Sequence, residues 1–409
     1  MANALNKVAS VPALDNAWRS ISQNKGSIYS FERTSADGTS VNSFRQNLDQ
    51  HLNFLSKSVL NRSFKFSSLE PFFLPRPGKS DRLICIPCIT DRVLQRSLLN
   101  ELSPREKAPN WLRNPLSYGF VPGKDRGVKF AVLKSCELRR KYPWVFKTDI
   151  SKFFDKISRE ILKEKVRSLI KKNSLYPLID AAIDCEVEPR TKGEGIKLLK
   201  AGVKKGRGIR QGMPLSPFLA NLFLYEFDKL ISEQKIEMVR YADDLIFFSK
   251  SEEHAEAIYA FVKSKLGEID LEIPLITAND KSQIYPPSEA AEFLGINITP
   301  SNGEYTPTVS KEHFARIQEN YNLISSMEEL VRRGYDITQF NSALSARTNG
   351  YLSAYEFCSN VYDLTGKLRD WEFSARSKVY KDLGINISQL DEGRKIFLGI
   401  IPKPKNDKK

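Results

Sequence analysis

The chain has 409 residues, of which 41% are hydrophobic and 27% are charged, and this composition is typical of a globular protein with a substantial core. Lys and Arg outnumber Asp and Glu by 63 to 49, and the formal charge of +14 favours a polyanionic partner such as nucleic acid, although a solvated basic surface has the same composition. Five scattered cysteines and the absence of a signal peptide or a bilayer-length apolar run predict a cytoplasmic protein that does not bind a membrane.

The first half of the chain is predicted to begin with helices and to continue with a pair of strands. Apolar residues in the N-terminal part recur at helical spacing, at Phe44, Leu48, Leu52 and Leu55. Residues 71–87 predict two short strands around a turn at 76–81, because apolar runs flank a segment that contains Pro and Gly. A further helix is predicted to open at Asp91.

The second half alternates between strands and helices. Residues 144–150 form an apolar run that ends in Asp149 and Ile150, which is typical of a buried strand. Helical periodicity over 158–206 is followed by a turn at 211–217 and a long apolar helix from Phe218 to about Ile231. Another helix is predicted from Glu252 to Leu266, and a strand near 283–285. After Pro300 we expect helices only, and a basic, disordered tail at the C-terminus.

The sequence Tyr241-Ala242-Asp243-Asp244 predicts a β-hairpin with carboxylates at its tip. Apolar, strand-forming residues lie on both sides, whereas adjacent aspartates suit a tight turn. Two neighbouring carboxylates are unfavourable unless a cation neutralises them, and Asp oxygens are suitable ligands for Mg²⁺. If this hairpin pairs with the strand that ends at Asp149, the acidic groups converge, although an isolated Asp is more often a turn or cap residue.

Five segments resemble, in order and spacing, the conserved motifs of reverse transcriptases. They are residues 146–155, 210–221, 241–244, 279–282 and 293–295. One such match would be weak, but five in register within residues 12–300 are specific. The resemblance implies an α+β right-hand polymerase fold, with fingers, a palm that contains an antiparallel sheet, and a helical thumb.

The resemblance also predicts where the domains begin and end. The expected domains are a helical N-terminal extension at 1–70, fingers at 71–145, a palm with inserted fingers helices at 146–300, a helical thumb or C-terminal domain at 301–395 and a basic tail at 396–409. The match with reverse transcriptase motifs lies in the first three of these domains.

The resemblance assigns the catalytic and metal-binding roles by position. Asp149, Asp243 and Asp244 are the expected catalytic carboxylates, and together with the backbone carbonyl of Ile150 they are the expected metal ligands. The cofactor is expected to be a pair of Mg²⁺ ions ~4 Å apart, with Mn²⁺ as a substitute. Lys281 resembles the lysine that protonates pyrophosphate or stabilises its charge; the alternative is a solvated surface lysine.

The nucleotide-binding residues are assigned in the same way. Arg82 resembles the arginine that grips the triphosphate, for which a guanidinium is well shaped, and Lys79 lies near it in the same turn. Gln211 and Ile150 are expected to contact the incoming nucleotide. Phe154 resembles the steric gate that excludes a 2′-hydroxyl and so favours deoxynucleotides. The alternatives are a solvated turn lysine at Lys79 and an ordinary core phenylalanine at Phe154.

Features outside the catalytic motifs favour one class of reverse transcriptase. Segments at 16–18, 24–26 and 37–38 resemble the N-terminal extension of group II intron enzymes. Retron enzymes carry a histidine element between the first two catalytic motifs, and no histidine occurs between Asp149 and Asp243. Pro217 follows Ser216, whereas the enzymes of diversity-generating retroelements have Gln at that position.

We therefore interpret the chain as a group II intron-like RNA-directed DNA polymerase, a nucleotidyltransferase that uses dNTPs. It would copy a structured non-coding template RNA into cDNA, and antiviral defence in bacteria is the favoured role. One alternative is a group II intron-type maturase, an RNA-binding protein without an endonuclease. Others are a retron-like reverse transcriptase and an RNA-templated RNA polymerase, and Phe154 argues against the last.

Overall fold

A computed structural model describes residues 3–22, 34–35, 37–76, 79–104, 108–276, 281–332 and 334–398. The chain divides into two compact units, Met1–Ala131 with Phe146–Ile284 and Val132–Val145 with Tyr285–Lys409. Several predicted features lie outside the described residues, namely the turn at 77–78, the segment 24–26, Asn279, Asp280, residues 399–409 of the tail and the side chain of Lys79.

The first unit begins with helices that pack into one apolar core. They are α1 (Ala4–Ala9), α2 (Val11–Ser22), α3 (Val41–Gln46), α4 (Leu48–Leu60) and α5 (Ile89–Leu102). Ser40 caps α3 in a capping box with Ser43, which explains why this helix starts there. Of the predicted apolar positions, Phe44, Leu52 and Leu55 are buried and Leu48 is partly buried against the same core, although Phe44 lies on α3 and the other three on α4.

Two sheets lie in the first unit. Strands β1 (Glu70–Arg76) and β2 (Lys79–Ile86) pair antiparallel, as predicted. The second sheet has the order β4-β5-β3-β6 and contains β3 (Trp144–Asp149), β4 (Glu237–Tyr241), β5 (Asp244–Ser249) and β6 (Gln283–Tyr285). Phe146 of β3 stacks on Phe247 of β5 with ring centroids 5.4 Å apart, so neighbouring strands share one packed face.

Along the chain, seven α-helices in the described part of residues 128–285 precede or separate the strands of this second sheet. They are α6 (Val128–Lys141), which belongs to the second unit from Val132 onward, and, in the first unit, α7 (Phe153–Lys156), α8 (Arg159–Leu169), α9 (Tyr176–Ile183), α10 (Lys192–Ala201), α11 (Ser216–Glu233) and α12 (Glu252–Gly267). The predicted apolar helix from Phe218 is α11, and most of its side chains are buried. A helix that is apolar on all sides must lie inside a core.

The second unit contains a three-stranded antiparallel sheet followed by helices. Its sheet has the order β7-β8-β9, from β7 (Ala291–Phe293), β8 (Ile296–Ser301) and β9 (Glu304–Thr308). The helices are α13 (Lys311–Leu323), α14 (Met327–Arg332), α15 (Ile337–Tyr355), α16 (Val361–Asp382) and α17 (Glu392–Phe397). The buried guanidinium of Arg139 donates to the carbonyl oxygens of Pro286, Glu289 and Ile298 within this unit.

One secondary-structure prediction for this unit was wrong. The chain does not turn helical directly after Pro300, because β8 continues to Ser301 and β9 follows after a turn at Asn302 and Gly303. Both turn residues have positive φ, the conformation that an Asn-Gly hairpin adopts. The basic tail is predicted at 396–409, with disorder from Ile401; α17 extends to Phe397, and the residues from 399 onward lie outside the described ranges.

The described residues also show the fold class, the state of the cysteines and the character of the helices. The alternation of helices with antiparallel sheets confirms the α+β class. All five cysteines are free and buried, so there is no disulfide among them. None of the helices in the described ranges is both long enough and apolar enough to cross a bilayer.

Candidate active site

The acidic hairpin forms as predicted. Tyr241 at the end of β4 pairs with Asp244 at the start of β5, which leaves Ala242 and Asp243 as a two-residue turn. Of these two, Ala242 alone has a positive φ, of 57°. This sign pattern matches a type II′ turn, whose first central residue is usually glycine. The turn therefore places Asp243 at the tip of the hairpin, with Asp244 beside it.

Asp149 reaches the same place from another part of the chain. It is the last residue of β3, which lies beside β5 in the sheet. The backbone N–H of Ile150 donates to the carbonyl oxygen of Asp243 at 3.0 Å. Asp149, Asp243 and Asp244 all line one cavity of about 760 Å³. The structure thus brings together the three carboxylates that the sequence predicted to converge.

Asp243 and Asp244 are in an environment that disfavours their charged forms. Burial raises the pKa of Asp243, and the nearby charge of Asp149 raises it further. Burial and the charge of Asp243 raise the pKa of Asp244 to about 6. One oxygen of Asp149, Oδ1, is buried and has no hydrogen-bond partner, whereas Oδ2 forms an ion pair with the ammonium of Lys281.

This set of oxygen donors fits a hard divalent cation. Three carboxyls face one cavity, one has a buried oxygen without a partner, and the mutual repulsion of their charges would be relieved by a cation. Within the described ranges, no three His, Cys, Asp or Glu side chains are placed so that they could hold a metal ion by themselves. Further ligands would come from the nucleotide, from water and from the Ile150 carbonyl, whose role stays a prediction.

The cavity is also lined by two of the predicted nucleotide-binding residues, Arg82 and Gln211. The Nε of Arg82 donates to Oε1 of Gln211 at 3.1 Å, and both residues line the cavity. The backbone N–H of Cys85 donates to the carbonyl of Gln211 at 2.6 Å, so β2 is joined to the loop before α11. Lys79 begins β2.

Gly212 allows this close approach between the loop and β2. Its φ is +110°, and a Cβ at this position would lie 2.5 Å from the carbonyl oxygen of Cys85. Only glycine fits both the conformation and the contact. The placement of Gln211 in the cavity therefore depends on the glycine that follows it.

Like Ile150, whose side chain is buried in the core, Phe154 is a predicted nucleotide-binding residue that does not line the cavity. Its ring is partly buried, packs against the apolar core and lies 5.5 Å from the ring of Phe153 in an edge-to-face arrangement. Its neighbour Asp155 does line the cavity. The steric-gate role remains a prediction, and the alternative of a core phenylalanine fits the observed packing.

Several cavity residues were missed in the sequence. The cavity is also lined by cations from four further places in the chain, namely Arg76, Lys152, Lys197, Lys200 and Arg210. The available signal was the density of basic residues in α10 and in the loop after it, but a lysine on a helix is usually solvated. The positive charge of these lining residues suits a ligand that carries phosphates.

Comparison with known proteins agrees with this arrangement. Residues 74–298, more than half of the chain, match the family model described as reverse transcriptase (RNA-dependent DNA polymerase). Protein YkfC of Escherichia coli is 26% identical over 203 residues, which are 48% of this chain and 50% of YkfC. The chain therefore spans about half the length of that relative.

Two further relatives represent different kinds of element. The putative COX1/OXI3 intron 2 protein of Saccharomyces cerevisiae is 28% identical over 195 residues, which are 46% of this chain and 20% of that protein. The retron Ec83 reverse transcriptase of Escherichia coli is 24% identical over 254 residues, or 60% of this chain and 72% of that enzyme. On the family match, the chain belongs to the reverse transcriptases and has their right-hand polymerase fold.

Proposed function

We propose that the protein is an RNA-directed DNA polymerase that extends a primer on an RNA template with dNTPs. The observation that carries this proposal is the convergence of Asp149 and Asp243 on a cavity that is also lined by Arg82 and Gln211. Membership of the family implies the use of a divalent metal ion. We propose that two Mg²⁺ ions serve here, with Mn²⁺ as a substitute, held by Asp149, Asp243 and Asp244.

The residues that line the cavity would have different roles in the reaction. Arg82 would hold the triphosphate, and Gln211 would orient the nucleotide, because the two side chains are already joined by a hydrogen bond. The carboxylates of Asp149, Asp243 and Asp244 would hold the cations in the cavity. When bound, these cations lower the pKa of the attacking 3′-hydroxyl and neutralise charge on the phosphates. Lys281, beside Asp149, would supply a proton or a positive charge to the departing pyrophosphate.

Extension of a primed RNA template tests this proposal directly. The wild-type protein should incorporate dNTPs in the presence of Mg²⁺, and the double variant Asp243→Ala with Asp244→Ala should not. Asp382→Ala, at an exposed position near the end of α16, is the matched control and should keep full activity. Incorporation by the double variant at the wild-type rate would exclude these carboxylates from the chemistry.

For the biological role we propose that the protein copies a dedicated structured RNA in the bacterial cytoplasm, in defence against phage. The set of carboxylates supports copying over RNA binding alone. The second candidate is an intron-type maturase, which the similarity to the yeast intron 2 protein favours. Sequencing the RNA and DNA that copurify with the protein from cells separates the two. A cDNA that is lost in the double-Asp variant supports the first candidate, and intron RNA without cDNA supports the second.

A further inference from the structure

The turn that carries Asp243 is in a conformation that its residues do not favour. Ala242 has a φ of 57°, and glycine is the usual residue at the first central position of such a turn. A Cβ in this region of φ is disfavoured sterically, and such residues persist only when the surrounding structure holds them in place. The contacts of the Ala242 backbone therefore show what fixes the catalytic hairpin.

Arg240 makes the main contact with this turn from inside the protein. It lies in β4 and its side chain is 2% exposed. Its Nη1 donates to the carbonyl oxygen of Ala242 at 3.1 Å and to Oδ1 of Asn221 at 3.0 Å. On the other side, its Nε donates to Oδ1 of Asp228 at 2.8 Å, and its Nη2 pairs with Oδ2 of the same carboxylate. The planar guanidinium thus faces a carboxylate with one edge and the turn with the other.

The two partners of Arg240 project from the same face of α11. Asn221 and Asp228 are seven residues apart, which is two helical turns. Asp228 is 1% exposed and also accepts a hydrogen bond of 2.7 Å from Nδ2 of Asn114. With a buried carboxylate and an amide on a rigid helix, the guanidinium has one well-defined orientation.

A loop at 117–120 packs against the turn, and its backbone is hydrogen-bonded to Asn221, which also contacts Arg240. The Nδ2 of Asn221 donates to the carbonyl of Gly119 at 2.9 Å and to that of Phe120 at 3.3 Å. A Cβ on Gly119 would lie 2.8 Å from the backbone nitrogen of Ala242, so only glycine permits this approach. Turn, loop and helix are therefore joined through Asn221 and Arg240.

From these contacts we infer that Arg240 is a positioning residue for the proposed reaction. It holds the carbonyl of Ala242, and so sets the direction in which Asp243 presents its carboxylate to the cavity. Asp228 and Asn221 fix the guanidinium in turn. Because the inference rests on the proposed polymerase function, its test needs one readout that does not depend on polymerisation.

Arg240→Lys is the informative substitution. A lysine keeps a positive charge beside the buried Asp228, which avoids an unpaired buried charge, but one ammonium cannot span both Asp228 and the turn carbonyl. Arg376→Lys is the matched control in the second unit, which contains none of the predicted site residues. Arg376 is also buried, pairs with Glu372, and donates to Oδ1 of Asn341 at 2.5 Å and to Ser345 at 2.7 Å.

Three measurements are made on the full chain. In single-nucleotide incorporation, Arg240→Lys should lower kcat by about 100-fold while KM for the dNTP stays unchanged, because a small displacement of reacting groups affects the chemical step. Manganese binding without nucleotide, followed by electron paramagnetic resonance, should weaken. Amide hydrogen exchange should become faster in peptides that cover 238–248 and 117–121, and not elsewhere in the first unit.

The control and the independent readouts make the inference falsifiable. An equal loss of kcat in Arg376→Lys would mean that any weakened buried arginine lowers activity, and the positioning role would be rejected. Faster exchange throughout the first unit of Arg240→Lys would also reject it, in favour of general destabilisation. If the wild-type protein incorporates no nucleotide, the proposed function fails, while local exchange and manganese binding still decide whether Arg240 positions the hairpin.

Discussion

The backbone N–H of Ile150 donates a hydrogen bond of 3.0 Å to the carbonyl oxygen of Asp243. This bond joins the end of β3 to the tip of the β4–β5 hairpin. Because Asp149 precedes Ile150 directly, the bond fixes two carboxylates from distant parts of the sequence beside one cavity. The protein thus keeps like charges together in a partly buried place, which is a cost to stability that a bound cation would offset.

Asp244→Asn should make the metal-free protein more stable while it lowers activity. The pKa of Asp244 is raised from 3.8 to about 6, by burial and by the charge of Asp243. The folded state therefore binds this proton more tightly than the unfolded state, and the free energy of unfolding falls as the pH rises from 3.8 through about 6. The asparagine removes that loss, which amounts to at most about 3 kcal/mol at pH 7.

Chemical denaturation in the presence of a chelator, at pH 4 and at pH 7, measures this effect. Wild type and Asp244→Asn should differ more at pH 7 than at pH 4, and incorporation by the variant should be lower. Asp382→Asn, at the exposed position used above, should show no such difference between the two pH values. If Asp244→Asn is less stable than wild type at pH 7, the charged form of Asp244 does not destabilise the folded state, and the prediction is wrong.

Gly212→Ala should unfold more easily and place Gln211 incorrectly. The new Cβ would meet the Cys85 carbonyl oxygen at 2.5 Å in a backbone conformation with φ of +110°. The conformational strain alone is about 1–3 kcal/mol, and the clash adds to it. Gly350→Ala is the control, because Gly350 lies within α15 and its Cβ would meet nothing within 4 Å.

Thermal unfolding and the KM for dNTP are measured for both Gly212→Ala and its control, Gly350→Ala. The control variant should gain about 0.5–1 kcal/mol, since alanine is the better residue inside a helix. The Gly212 variant should lose stability and show a higher KM, because the Arg82–Gln211 contact depends on the position of this loop. Unchanged stability and KM in Gly212→Ala would show that the loop and β2 can separate freely.

Local patterns predicted most of the elements that position the site. The hairpin tip follows from strand-forming residues on both sides of two adjacent aspartates, and α11 follows from a continuous apolar run. Both patterns depend only on nearby residues. The β8–β9 hairpin was missed even though Asn302-Gly303 is a strong turn signal, because Pro300 and Pro307 argue against strands on both sides.

The remaining part of the site depends on tertiary contacts. Lys197 and Lys200 are ordinary helix residues in the sequence, and only the fold shows that they line the cavity. Arg240 directly precedes the acidic motif, yet its partners Asn221 and Asp228 become its neighbours only when α11 packs under the hairpin. No local pattern contains such information, because side chains far apart in sequence have to meet.

Phe154→Ala tests whether this ring excludes ribonucleotides. If the ring acts as a gate, the preference for dNTP over rNTP should fall by about 10- to 100-fold, which is the range for one small group in a pocket. Phe153→Leu is the control, because Phe153 is buried beside Phe154 and contributes packing alone. Competition between labelled dNTP and rNTP on a primed RNA template measures the preference. Equal preferences in wild type and Phe154→Ala would assign the ring to the core.

Lys281→Met and Lys281→Arg together separate a proton donor from a fixed charge. The ammonium forms an ion pair with Asp149 at a position where the lysine side chain is 66% exposed, so neither substitution should change the free energy of unfolding by more than about 1 kcal/mol. If Lys281 protonates the pyrophosphate, both variants should lower the rate of the chemical step by about 10²- to 10⁴-fold, because a guanidinium does not give up its proton. If it only supplies charge, arginine should restore most of the rate.

Rapid-quench incorporation of one nucleotide measures that step without contributions from product release. Lys265→Met is a suitable control, since Lys265 pairs with Glu268 on the surface of the same unit. It should incorporate at the wild-type rate. A wild-type rate for Lys281→Met as well would reduce Lys281 to a surface lysine, and the ion pair with Asp149 would then have no part in catalysis.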